Sequence, residues 1–448
     1  MVTKLGAWLE EAQDHLWFLP AIMTAVAMGL ALLTVEADLR WIERPEGGGP
    51  VGLIFRGGPG EARAVLAAVA GGIITVAGVV FSITLVTLRA ASEQFSPRLL
   101  REFTSDVRSQ ATLGVFTATF VYSLVALRSV RSEEEWDGPF VPALTVTVVF
   151  GLSLVSIGFL IYFIGYLARE IQAGSVVDRV VKGIHVRIEH LFPEEVGRAV
   201  VPRGEAVSVP SAPPAVVRAR VAGYVTEVDE AKLFGHADGR LLIRMEVGVG
   251  AFVVPGEPLA SVWPAERVDP TLGAALRDAF VLGRERTIHH DVEHGFIELS
   301  DIAVKAMSPA INDPTTATIC LDRMSEALVA LGRRDFPPPV RLGRDGRVWL
   351  IARQTEFERI VSIAFGPIRH YGREDPSVLR RLLEALGRAW RCLPAERRPP
   401  LEAQGAAILR EAERHVEERL DLEAIREAAW WMATQGGGRA AGHDDADA

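Results

Sequence analysis

Residues 64–88 read AVLAAVAGGIITVAGVVFSITLVTL, and this stretch decides the fold class. It carries no charge from end to end. A hydrocarbon core of about 30 Å is crossed by roughly 20 apolar residues in a helix, so this stretch is long enough to span a membrane. Its backbone must then satisfy its own hydrogen bonds, which a helix does. Three neighbours share the property: roughly Leu16–Val35, Ala111–Leu127 and Val141–Leu167. The expected fold class is therefore membrane α-helical, with a four-helix transmembrane domain over residues 1–170.

The bulk composition agrees with segregation along the chain. Of 448 residues, 49% are hydrophobic and 23% charged, with mean hydropathy +0.20. Both figures are high together only if apolar and charged residues occupy different stretches. Residues 353–431 are rich in Arg and Glu, whereas 111–127 carry no charge. The net charge of −9 offers no basic footprint for nucleic acid, so no such partner is expected. Cys320 and Cys392 stand in unrelated contexts and build neither a disulfide framework nor a thiolate metal site. Glu10, Glu11 and Asp14 precede the first apolar run, unlike the basic start of a cleavable signal, so that run reads as a retained span.

Orientation rests on Lys and Arg near the span ends. Arg89, Arg98, Arg101 and Arg108 lie between spans 2 and 3, and Arg169, Arg179, Lys182 and Arg187 follow span 4. The 3–4 loop has only Arg128 and Arg131 beside Glu133, Glu134, Glu135 and Asp137; the 1–2 loop, with Arg40, Arg44, Arg56 and Arg63, blurs the signal. The balance places both termini in the cytoplasm.

Beyond the spans the pattern changes. Residues 171–214 read as a juxtamembrane helix and a Pro-rich linker (VVPRGEAVSVPSAPP, 200–214). Residues 215–264 alternate in strand fashion between glycine turns. Residues 265–434 are mainly helical, with a β interruption near 340–352 turning at Arg344-Asp345-Gly346. Residues 435–448 read as a disordered tail. The whole soluble part is thus α+β: a small β domain followed by a helical one.

Span 2 carries the most unusual pattern. Gly71, Thr75, Gly78 and Ser82 share one helical face, and Thr84 and Thr87 form a second polar set. Small residues on one face allow close helix packing. The same face also suits a water-filled path when several chains assemble. No span carries a mid-membrane ionisable residue, which disfavours a coupled transporter but not a channel lined by hydroxyls. The continuation LRAASEQFSPRLLREF is expected to kink or end near Pro97.

In the soluble part, Gly283–Thr318 is the densest polar region, with Arg284, Arg286, Asp291, Asp301, Lys305, Ser308, Asn312 and Asp313. One reading is an ion-pair and capping network. The other is an anion site at the helix that starts at Pro314, with Arg284 and Arg286 assisting. His290, Glu293 and His294 match the H-x-x-E-H metal spacing, though a third ligand is not visible. Between Gly283 and Gly295 a solvated polar turn is the expectation there, with no metal and no cofactor.

The β block resembles the barrel-sandwich fold of biotinyl and lipoyl carriers at Gly223-Tyr224-Val225 and Gly250–Leu259. It lacks the lysine between two methionines on which carriers mount their group, so the resemblance implies a structural module. Nearly the whole chain resembles a bacterial family of predicted membrane proteins, DUF2254. The resemblance rests on FSITLVTLRAASEQFSPRLL (81–100), AGYV (222–225), GRERT (283–287) and DIAVKAMSPAINDPTTA (301–317). His289, His290 and His294 depart from the family pattern. The family implies the architecture and brings no activity. Three readings follow: a homo-oligomeric channel or passive pathway for a small ion or solute, a membrane-anchored sensor or scaffold, and a membrane-bound hydrolase.

Overall fold

The computed structural model describes residues 15–42, 55–94, 106–131, 140–170, 172–192, 209–237, 241–286, 291–342, 348–353 and 355–433. Pro97, the Arg344-Asp345-Gly346 turn, His290, most of the linker and the tail lie outside these. The chain forms two compact units, residues 1–172 and 173–448.

The first unit holds the four candidate spans. They are α1 (Phe18–Ile42), α2 (Pro59–Gln94), α3 (Val107–Ser129) and α4 (Ala143–Glu170). All run longer than the charge-free stretches, because a helix continues past the hydrocarbon until a cap or a break stops it. Asp106 starts α3 by accepting the Ser109 N–H at 2.9 Å.

Helix α3 is the centre of the bundle. Its apolar window is 56% buried inside the unit, against 28% for α2, 22% for α4 and 11% for α1. It packs on all three other spans. Two apolar clusters surround it, one around Tyr122, Leu66 and Val149 and one around Phe116, Val80 and Phe163. At Gly114 an added Cβ would overlap Met23 Sδ, so glycine lets α1 and α3 approach there.

The second unit begins with α5 (Ala173–Leu191). Val176, Val180, Ile184 and Ile188 recur at helical spacing and are all buried. Two sheets follow. One runs β1 (Ala215–Arg218), β5 (Pro258–Trp263), β3 (Leu242–Met245), β8 (Val348–Ile351), β7 (Val340–Leu342) in spatial order; the other runs β4 (Phe252–Val253), β2 (Gly223–Val228), β6 (Phe280–Gly283). Every pairing is antiparallel except β3 with β8. Val217, Val225, Ile243, Val253, Val262, Leu276 and Leu350 share a single apolar core between the sheets. Strands β6, β7 and β8 come from beyond residue 264, so the β core is completed by chain that reads as helical territory. Short helices α6 (Glu230–Ala237) and α7 (Pro270–Arg277) flank it.

The helical part contains α8 (Val292–Ala306), α9 (Pro314–Gly332), α10 (Phe357–Tyr371), α11 (Pro376–Cys392), α12 (Arg398–His415), α13 (Arg419–Ala428) and α14 (Trp430–Ala433). Helix α8 packs between α5, α9 and α10. Asp313 caps α9 and Pro314 occupies its first turn, as the Asn-Asp-Pro sequence predicts. Trp431 is fully buried and donates from its indole to Leu383 O at 3.1 Å, over Gly387 and Gly405, where a Cβ would collide with it.

Candidate functional site

Two regions carry the candidate residues. In α2, Leu66, Ala70, Ile73, Ala77 and Val80 turn inward, and Thr87 is buried with them. Gly71, Thr75, Gly78 and Ser82 are all exposed on the outside of the protomer. A Cβ at Gly71 or Gly78 would meet nothing within 4 Å. Thr75 donates to Gly71 O at 2.8 Å, which satisfies its hydroxyl within its own helix. The stripe is therefore presented outward and is not used to pack the bundle.

Three of the bundle's interior polar contacts centre on α3, a feature the charge-based reading missed. Thr117 meets Thr24 at 3.0 Å, Tyr122 meets Thr34 at 2.7 Å, and Thr119 meets Ser156 at 3.0 Å. Asp38, 5% exposed, accepts from the Leu144 and Thr145 N–H groups at 3.0 Å each and from the Thr145 hydroxyl at 2.7 Å. This carboxylate caps the first turn of α4 from a different helix and lies within the positive end of that helix's dipole. The sequence signal was present, since Asp38 lies at the end of an apolar run, but its partner cannot be read from spacing.

In the second unit, the polar region condenses at the start of α8. Asp291 is the N-cap, accepting the His294 N–H at 3.3 Å. Arg286 Nε donates to Asp291 at 3.0 Å, and its Nη2 lies 3.7 Å from Glu293. Arg359 of α10 holds the other side of Glu293, with Nε 3.1 Å from each carboxylate oxygen. Gly250, at φ +85°, brings the turn before β4 against this pair, and a Cβ there would collide with both Arg286 and Asp291. The expected solvated turn is thus overturned from Asp291 onward. Asp291, Glu293 and His294 are buried because α8 is wedged among three helices. His294 Nε2 lies 3.3 Å from Glu298, and His294 Nδ1, Glu298 Oε2 and Ser300 Oγ have no hydrogen-bond partner among the described residues.

The remaining candidates scatter. Arg284 is exposed; Asp301 and Lys305 are half-buried and engaged on α8. The Ser308 carbonyl accepts the Asn312 N–H at 2.8 Å, and Asn312 takes φ +49° in the turn between α8 and α9. Asp313 accepts the Thr316 N–H at 3.0 Å and the Thr316 hydroxyl, which together hold its carboxyl below its usual range. The α9 N-terminus is therefore occupied by its own carboxylate, and Arg286 is committed to Asp291. The sequence-predicted anion site is not brought together. Among the described residues no three His, Cys, Asp or Glu side chains are placed to hold a metal.

The chain matches the family model described as "Predicted membrane protein (DUF2254)" over residues 13–388. An uncharacterized protein of Mycobacterium tuberculosis is 33% identical over 444 residues, covering 96% of this chain and 82% of the relative. An uncharacterized protein of Mycobacterium bovis is 33% identical over 443 residues, with the same coverage of 96% and 82%. No solved structure matches the chain.

Proposed function

This chain belongs to the DUF2254 family of predicted membrane proteins, and we propose that it forms an oligomeric channel or passive pathway for a small ion or solute. Copies assemble through span 2, and Gly71, Thr75, Gly78 and Ser82 line part of the path. The single observation behind this reading is that the stripe faces out of the protomer while Thr117, Thr119 and Tyr122 of span 3 are consumed inside it. A small-residue face turned toward lipid gains nothing there, whereas a second helix gains close packing. In this reading both termini and the soluble unit are cytoplasmic, and that unit assembles or gates the path. Its two sheets around one core serve as a structural module of the barrel-sandwich kind.

The test is ion flux into liposomes carrying the full-length, size-checked oligomer. Selective flux abolished by Ser82→Leu, with assembly unchanged, supports the pathway. Absence of flux across several ions and voltages, from a folded oligomer, overturns it. The second reading is a membrane-anchored sensor or scaffold. What favours it is the Arg286–Asp291–Glu293–Arg359 array, in which two buried carboxylates are held by a half-buried and an exposed arginine, with unpartnered His294, Glu298 and Ser300 atoms close by in sequence on α8. That reading expects Arg286→Ala to abolish ligand binding while span 2 tolerates substitution.

A further inference from the structure

The exposed large apolar side chains of the second unit concentrate on the β module. Val221, Phe252 and Val254 stand out, at 59%, 53% and 49% exposed. Val221 lies in the turn between β1 and β2. Phe252 is on β4, an edge strand, and Val254 opens the turn between β4 and β5. The two turns are bonded to each other and form one tip. The Ala219 N–H donates to Glu257 O at 2.9 Å, and the Gly256 N–H donates to Ala219 O at 2.9 Å. Arg218 Nη1 donates to Gly256 O at 2.8 Å, and Glu257 Oε2 accepts the Val254 N–H at 2.9 Å. Tyr224, opposite Phe252 in register, meets its ring edge-on with centroids 5.0 Å apart. Backbone groups at the tip are thus satisfied from within, which is what entry into an apolar medium demands.

Cations stand beside these apolar groups. Arg218 and Arg220 are exposed. Arg218 donates only to a carbonyl, which leaves its charge in place, and Arg220 has no partner among the described residues. The carboxylate nearby, Glu257, is half-buried and turned back onto Val254. Arg277 donates from Nε to Arg218 O at 2.8 Å, and its charge is offset by the C-terminal end of α7, so it adds nothing to the balance. Exposed apolar side chains flanked by arginine suit the boundary between acyl chains and anionic headgroups. A second copy fits less well: meeting through this face about a two-fold axis would set Arg220 against Arg220. The chain also keeps a bilayer at hand, since α4 ends at Glu170 and α5 begins at Ala173. Docking of a tethered unit is an intramolecular step at high effective concentration.

We propose that the tip formed by the β1–β2 and β4–β5 turns docks on an anionic bilayer. Val221, Phe252 and Val254 enter the interfacial layer, and Arg218 and Arg220 lie at the level of the lipid phosphates. The tip shares no residue with span 2 or with the α8 array, so it stands or falls apart from the pathway.

The experiment uses full-length protein with Cys392→Ser and a fluorophore on Ala222→Cys, in nanodiscs of phosphatidylcholine with phosphatidylglycerol; Cys320 is buried and escapes labelling. Quenching by brominated lipid is expected at Ala222→Cys and not at Leu420→Cys, an exposed position on α13. Arg220→Gln lowers the docking equilibrium about fivefold, the effect of one cation at an anionic leaflet, and Arg220→Lys restores it. Phe252→Ser lowers it about tenfold. Phe252 points away from the β core, so an unchanged circular dichroism spectrum separates lost docking from lost folding. No quenching at Ala222→Cys, equal quenching at Leu420→Cys, or quenching indifferent to both Arg220 and Phe252 overturns the proposal. A label shielded from aqueous iodide yet untouched by brominated lipid would mean that protein covers the tip, a second copy or another chain, and overturns it too.

Discussion

Spans 2 and 3 are similar in sequence and opposite in structure. Both are charge-free through the middle and both carry glycine, serine and threonine. In α3 these residues face the other spans: Thr117, Thr119 and Tyr122 each meet a partner on α1 or α4, and Gly114 seats Met23. In α2 the stripe Gly71, Thr75, Gly78, Ser82 faces outward: Thr75 bonds within its own helix, and an added Cβ at either glycine would meet nothing within 4 Å. Composition alone does not separate a helix that organises its bundle from one that offers a face outward. The first spends its polar groups on contacts with the other spans, and the second turns its small and hydroxyl residues outward, where the proposed pathway places another helix.

The comparison can be broken by substitution. The largest effect is expected at Asp38. Replacing it with alanine strands two buried N–H groups of α4 and a hydroxyl, and costs about 3 kcal/mol of protomer stability. Denaturant unfolding in detergent micelles measures it, and an unchanged midpoint would mean that water serves α4 equally well. Next comes the glycine contrast. Gly114→Val forces α1 from α3 and costs about 2 kcal/mol by overpacking. Gly78→Val leaves the protomer's midpoint unchanged and alters only self-association, read by crosslinking or light scattering.

A smaller effect sets the buried cap at Asp38 against the wetter cap at Asp313, where solvent can replace the lost oxygen. Asp313→Ala is expected to cost about 1 kcal/mol at neutral pH. The Thr316 hydroxyl and N–H depress the folded pKa of Asp313 below its ordinary value of 3.8. Its contribution is therefore complete above that value and is lost as pH falls through the lower, folded one. The difference between wild type and variant shrinks below about pH 4 if this holds; a difference constant down to pH 2 would assign the loss to packing. The smallest stability effect is at Ser82: leucine there leaves the midpoint where it was while flux disappears.

Much of the fold was legible. Uninterrupted apolar runs located all four candidate spans, and Asn312-Asp313-Pro314 located the start of α9. The candidate site was legible only in pieces. Arg286 and Asp291 do pair, but Glu293 and His294, which read as a solvated turn beside two glycines, are buried. Gly295 accounts for the reversal: a Cβ there would collide with Ile184 of α5, so the glycine that suggests a weak helix is what lets α8 pack. Arg359, which completes the array, lies 66 residues away in sequence from Glu293 and gave no signal.

The sequence by itself determined what each segment must be surrounded by. A charge-free helix of span length needs an apolar medium, and an alternating strand needs a core on one side, because desolvating backbone and charge costs more than any local contact returns. Only the tertiary structure decided which side of each segment turns inward. That choice set span 2's stripe outward, gave Asp38 the end of α4, and closed the β core with β6, β7 and β8. It depends on the shapes of neighbours distant in the chain, and no periodicity within a single helix or strand encodes them.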